Sequence, residues 1–174
     1  MAESKTIDTK ASNAQTRAGK YLTFALDNEE YGLEILKVRE IIGHMETTSV
    51  PQMPDYVEGI INLRGQVIPV INLRSKFGMD NAEITEQTCI IVVETLRQGR
   101  KYSTGIVVDN VQEVLDITSE QIADAPDFGS AVDTEFILGM GKIGKSVKIL
   151  LDIDKILEGA NLPETNPQRR TQNI

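Results

Sequence analysis

The sequence predicts an all-β protein of many short strands, and three observations carry that prediction. Residues alternate between apolar and polar over Tyr21-Leu22-Thr23-Phe24-Ala25-Leu26, and Val147, Ile149, Leu151 and Ile153 recur at period two. That is the spacing at which side chains share one face of a strand. Two apolar runs flank Arg64-Gly65, with Ile60-Ile61-Asn62-Leu63 before it and Gln66-Val67-Ile68-Pro69-Val70-Ile71-Asn72-Leu73 after it. Gly65 is free to take a positive φ, so the pair reads as a hairpin turn. Turn residues recur at near-regular short intervals with little helical periodicity between them, which points to a barrel or a sandwich.

Taken in order, the first 18 residues are polar and aperiodic and predict a disordered tail. The first strand, Tyr21 to Leu26, stops at the turn Asp27-Asn28-Glu29-Glu30, and Tyr31 and Leu33 open a second. Ile35, Leu36, Val38, Ile41 and Ile42 fit either a helix or a helical turn running into a strand. Pro69 has no N–H to donate, so the strand after Gly65 is expected at a sheet edge or at a bulge. Cys89-Ile90-Ile91-Val92-Val93 is apolar at consecutive positions, which predicts a strand covered on both faces and a buried thiol. Gly105 to Asp109 and Val111 to Ile117 read as further strands, and Leu96 to Tyr102 as a solvated loop carrying Arg97, Arg100 and Lys101. Phe136-Ile137-Leu138 and Val147 to Ile153 flank a glycine-rich connection, and a short helix over 154–158 ends at Gly159. Residues 161–174 predict a second tail, which leaves a folded region of 19–160.

Composition narrows the function. Acidic residues number 26 against 18 basic ones, for a formal charge of −8, a field that repels phosphate backbones and anionic lipid. Nucleic acid and membrane insertion are therefore not expected. No apolar run reaches the roughly 18 residues needed to cross a bilayer, and a cytoplasmic protein is expected. The single cysteine permits no internal disulfide. His44 is the only histidine, so neither a zinc cluster nor a serine–histidine pair is expected, and no metal or other cofactor is predicted.

One motif argues for catalysis. Gly139-Met140-Gly141-Lys142-Ile143-Gly144-Lys145-Ser146 matches the phosphate-binding P-loop pattern, in which backbone N–H groups and a following helix cradle the phosphates. The period-two run after Ser146 predicts a strand in place of that helix. The glycines then form a hairpin turn, and nucleotide binding stands as the minority alternative.

Several segments together resemble the CheW family. Glu30-Tyr31-Gly32-Leu33-Glu34-Ile35-Leu36-Lys37-Val38-Arg39-Glu40-Ile41-Ile42 is similar to its N-terminal strand–turn–strand, and Gly59 to Gly65 followed by Ile68-Pro69-Val70 is similar to its N-L-R-G hairpin. Gly105 to Asp109 with Val111 and Val114 resembles its later strands, and Gly139-Met140-Gly141 its G-x-G turn. The resemblance implies two SH3-like five-stranded β-barrels packed around a shared hydrophobic core, with few short helices and no enzymatic activity. It implies binding to the cytoplasmic tip of methyl-accepting chemoreceptors and to the regulatory domain of the histidine kinase CheA. The same features fit an adaptor of the family that serves a chemosensory pathway other than chemotaxis. The length suggests a standalone adaptor, neither a kinase fragment nor a receiver fusion.

By position in that resemblance, Ile35, Val38, Glu40, Cys89 and Val111 are the expected receptor contacts. Asn62, Arg64, Gly65, Val67 and Ile68 are the expected kinase contacts, with Val67 and Ile68 presented by an exposed edge strand near Pro69. Gly59 and Gly139 are expected to be structural.

Overall fold

In the computed structural model the described residues are 17–126 and 132–163. Strands β1 (Gly19–Leu26) and β2 (Glu29–Glu34) form the first hairpin, and a 3-10 turn at Ile35–Lys37 leads into β3 (Val38–Gly43). Next come β4 (Val57–Leu63), β5 (Gln66–Asn72), α1 (Leu73–Lys76), β6 (Cys89–Arg97) and β7 (Arg100–Val108). The chain continues through β8 (Asn110–Ile117), β9 (Ile122–Ala123), β10 (Ile137–Ile143), β11 (Ser146–Leu151) and α2 (Ile153–Glu158).

These strands build two sheets, β8-β1-β2-β11-β10-β9 and β3-β6-β7-β5-β4. The all-β prediction holds. The first sheet has six strands where five were expected, because the two-residue β9 pairs with β10 at Met140 and Gly141. The second sheet lies within the chain path of the first, since β1 and β2 precede it and β8 to β11 follow. The connection from β3 to β4 is pinned to β4 by a bridge in which Thr48 N donates to Ile60 O and Ile60 N to Thr48 O, both at 2.9 Å.

Strand parity explains where the core sits. On β6, Ile91 and Val93 enter a large cluster that also takes Phe24, Tyr31 and Leu33 from the first sheet. The alternate residues Ile90 and Val92 join Ile61, Ile68 and Val70 in a smaller cluster within the second sheet. A consecutive apolar run is what two buried faces require. Tyr21, Ile117, Ile122 and Leu150 form a third cluster in the first sheet. The two short helices start on side-chain caps: Asn72 Oδ1 accepts from Ser75 N and Asp152 Oδ1 from Lys155 N, each at 3.2 Å.

Two expectations are corrected. Pro69 is buried and not at an edge, since β5 runs between β7 and β4. Its missing donor is tolerated because the parallel pairing with β7 begins only at Val70, opposite Gly105. The bulge on this hairpin lies instead between Val57 and Gly59. Residues 96–102 are not a loop but the end of a β6–β7 hairpin paired as far as Arg97 opposite Arg100. A few residues at the inner margins of the two predicted tails are described. Arg17 donates to Leu138 O at 3.1 Å and Asp124 Oδ1 at 3.0 Å, while Asn161 N donates to the Tyr56 hydroxyl at 2.8 Å and Leu162 packs on the large cluster. The remainder of both predicted tails lies outside the described residues.

The bridge at Thr48 leaves no room for a side chain at Gly59. Its φ is +143°, and an added Cβ would lie 2.2 Å from Thr48 O, an atom already held in the bridge. Gly59→Ala is expected to lower unfolding stability by about 2–3 kcal/mol, read from urea midpoints at constant slope. A loss below about 0.5 kcal/mol would show that the bridge yields freely.

Candidate protein-interaction site

The hairpin joining β4 to β5 turns through Arg64 and Gly65, whose φ angles are +52° and +82°. Two positive φ values define the tight turn that matches the twist of paired strands. Gly65 adopts this freely, whereas Arg64 carries a side chain in a sparsely populated region and needs support. Support comes from two sides. Gly65 N donates to Asn62 Oδ1 at 2.9 Å, stapling the turn from within. The Arg64 guanidinium donates from both terminal nitrogens to Glu40 on β3, at 2.6 Å to Oε2 and 2.7 Å to Oε1.

This two-pronged clasp joins residues that were expected in separate interfaces, Glu40 with the receptor set and Arg64 with the kinase set. Arg64 is 72% exposed in its side chain and Glu40 27%, so the pair is open to solvent on the arginine side. The Arg64 hydrogen bonds hold the Glu40 carboxyl below the usual carboxylate range, and Glu40 in turn keeps the guanidinium more firmly protonated.

The other expected residues are placed as follows. Ile35, Val38 and Val111 are half-buried and rest on the large inter-sheet cluster, Val111 from β8 opposite Phe24 and the other two from the second sheet's entry. Cys89 is corrected from buried to half-buried. It occupies the first position of β6, opposite Gly43 rather than Val38, and its thiol donates to Gln87 O at 3.0 Å. It therefore lies at the far end of β3 from Val38, which pairs with Val93. Ile68 is also corrected: at 2% exposure it belongs to the second sheet's own core and offers no surface. Val67 is half-buried, and Asn62 and Gly65 are exposed at the turn. Gly139 faces β9, where a Cβ would meet Ile122 Cγ2 at 2.6 Å and Ala123 O at 3.0 Å.

Sequence reasoning passed over two exposed apolar residues beside this site, Leu36 at 93% exposure and Ile41 at 43%. Strand parity could have found Ile41, since Val38, Glu40 and Ile42 turn inward and Ile41 must turn out. Leu36 sits in the 3-10 turn, where no periodicity signals its direction.

The P-loop alternative fails on geometry. Ser146 opens strand β11, directly paired with Ile143, and its hydroxyl donates to Ile143 O at 3.0 Å. The amides that would cradle phosphate are those of a β10–β11 ladder with its turn at Gly144, φ +59°. Among the described residues no group of three or more potential ligands gathers for a metal, and no helix is long and apolar enough to cross a membrane.

Two interlocked sheets with a charged clasp and apolar residues at their rim define a β-scaffold of the protein-contact class. The CheW-like domain family model matches residues 20–161. The chemotaxis protein CheW of Klebsiella aerogenes is 42% identical over 148 residues, covering 85% of this chain and 87% of that protein. That of Bacillus subtilis is 33% identical over 141 residues, covering 80% and 86%. The crystal structure of the scaffolding protein TtCheW from Thermoanaerobacter tengcongensis aligns with TM-score 0.75 and 34% identity over 86% of this chain and 99% of that one. The chain belongs to the CheW family.

The clasp has a definite pH signature. A carboxylate whose folded pKa is lowered favours the charged, clasped state at and above the ordinary carboxylate range, and the clasp opens as pH falls through the lowered value. The Glu40 side-chain carbonyl resonance is expected to titrate below free glutamate, and to return to the ordinary range in Arg64→Ala. A midpoint unmoved by that substitution would show that the clasp does not persist in solution.

Proposed function

We propose that this protein is a non-catalytic cytoplasmic adaptor that couples methyl-accepting chemoreceptors to the histidine kinase CheA. The match of the whole 20–161 fold to the CheW-like domain carries this reading. The clasp gives it a mechanism. Receptor contact is assigned to the rim formed by Ile35, Val38 and Glu40 with Val111, and Cys89 extends this set at the far end of β3. Kinase contact is assigned to the hairpin turn, through Asn62, Arg64 and Gly65, with Val67 at its base and Ile68 supporting it from the core. Gly59 and Gly139 serve by letting backbones approach closely.

Because Glu40 and Arg64 hold each other, a partner that engages one loosens or tightens the other. Occupancy of the receptor rim then changes the donors presented at the turn. Both partners bound to one scaffold meet at a raised effective concentration and a fixed orientation. A coupling of about 1–3 kcal/mol transmitted this way would be ordinary for two linked sites.

Reconstitution of receptor membranes, CheA and this protein, read as kinase autophosphorylation, tests the assignment. Activation is expected to depend on this protein and to fall at least ~5-fold with Arg64→Ala or Val38→Asp, the lower end of such couplings. Kinase activity that ignores saturating adaptor would overturn the assignment.

A further inference from the structure

We propose that the end of the β6–β7 hairpin is an additional docking surface, which takes an acidic segment of a protein partner on the face formed by Arg97, Arg100 and Tyr102. The pairing of β6 with β3 ends at Val93, and that of β7 with β5 begins at Gly105. The residues from Glu94 to Arg97 and from Arg100 to Ser103 are thus paired only with each other, as a two-stranded ribbon beyond those ladders. Its turn, Gln98-Gly99, has φ angles of +51° and +76°, the same tight geometry as the Arg64 turn.

Charge is concentrated on this ribbon. Between Thr95 and Val108 the sequence holds Arg97, Arg100 and Lys101 and no acidic residue, within a chain of formal charge −8. The register sets Arg97 directly opposite Arg100. Like charges at directly opposed positions destabilise a ladder. Among the described residues neither arginine has a carboxylate within ion-pair distance, whereas Lys101 lies 3.8 Å and Arg39 3.5 Å from Glu94. Arg97 is also held in place, its guanidinium carbon 4.0 Å from the centre of the Tyr102 ring. The ribbon therefore presents two guanidinium groups on one face without a carboxylate partner among the described residues, Arg97 held against Tyr102 and Arg100 exposed beside it, while Leu96 and Lys101 share the other face.

Planar guanidinium groups recognise carboxylates with two parallel hydrogen bonds. Along an extended peptide, alternate residues share a face and lie about 7 Å apart. Acidic residues at alternate positions can therefore reach two neighbouring arginines. The rest of the molecule selects a short acidic segment over an extended polyanion, because a lipid surface or nucleic acid would also meet the chain's net negative field.

The test measures fluorescence anisotropy of a labelled peptide of alternating Glu and Thr against the full-length protein at low salt. In parallel, phosphatidylglycerol vesicles and a single-stranded oligonucleotide are titrated. The double substitution R97Q/R100Q is expected to weaken peptide binding at least ~10-fold, with Leu96→Ser and Lys101→Gln on the opposite face within about twofold of the parent. Arg100→Glu should retain or raise the melting temperature while losing the peptide, since it replaces a like-charged pair with an opposite one. Three results would each overturn the proposal: losses that follow net charge regardless of face, tighter binding of vesicles or oligonucleotide than of peptide, and a lower melting temperature for Arg100→Glu.

Discussion

The cluster between the two sheets sets the terms for everything around it. Phe24, Leu26, Tyr31 and Leu33 from the first sheet meet Ile71, Ile91, Val93 and Ile106 from the second, and Ile153, Ile156 and Leu157 of α2 close against them. Each such side chain, fully buried, contributes on the order of 1.5–3 kcal/mol. Neither sheet can cover that face alone. The chain order strengthens the dependence, because the first sheet is complete only after the second has been made. Its β2 runs parallel to β11, and at that seam Lys148, 8% exposed, forms an ion pair with Glu30 on the neighbouring strand. Removing Glu30 would leave the buried Lys148 charge unmatched.

A second tie crosses between the sheets near α1. Arg74 donates from Nε to Asp109 Oδ1 at 2.8 Å and from a terminal nitrogen to Oδ2 at 2.6 Å, while Asp109 Oδ2 also accepts from Asp27 N at 2.8 Å. The Arg74 hydrogen bonds hold the Asp109 carboxyl below its ordinary range. One carboxylate thus joins the β1–β2 turn, the helix after β5 and the end of β7. With the sheets held so, Glu40, Val38 and Val111 are placed by core packing rather than by loop conformation, the rigid footing that the proposed receptor contact would need.

Much of the fold was legible in the sequence because parity and turns are local. The run Ile90 to Val93 announced two buried faces, and Arg64-Gly65 announced a hairpin. Val147, Ile149 and Leu151 identified a strand where a short motif suggested a phosphate loop. The errors came from information that is not local. Pro69 looked like an edge residue because sequence shows its missing donor but not where the ladder of the neighbouring strand begins. Ile68 looked available for contact because its burial depends on Ile90 and Val92, more than 20 positions away. Cys89 shares its strand's apolar character but sits at the end, where cover thins out. The clasp was beyond sequence reading for the same reason. Glu40 and Arg64 were each singled out, yet only the tertiary path of β3 past the β4–β5 turn shows that they bind each other.

The register also relates the two cationic turns of the second sheet. Strands β5 and β7 run parallel with Val70 opposite Gly105, so the turns that precede them, at Arg64-Gly65 and Gln98-Gly99, open toward the same end of the sheet. Their charges are in opposite conditions. Arg64 already has its carboxylate in Glu40, so the proposed kinase contact would have to compete for or re-orient an existing pair, gaining only the difference between two bonded states. Arg97 and Arg100 have no such partner among the described residues, and an arriving carboxylate relieves a repulsion as it binds. Exchange at a satisfied pair is weakly sensitive to salt, because charge is conserved through the step, whereas capture by two open guanidinium groups is screened directly. The two proposed surfaces, one transmitting state and one recruiting by charge, would thus stand side by side on one sheet without duplicating each other.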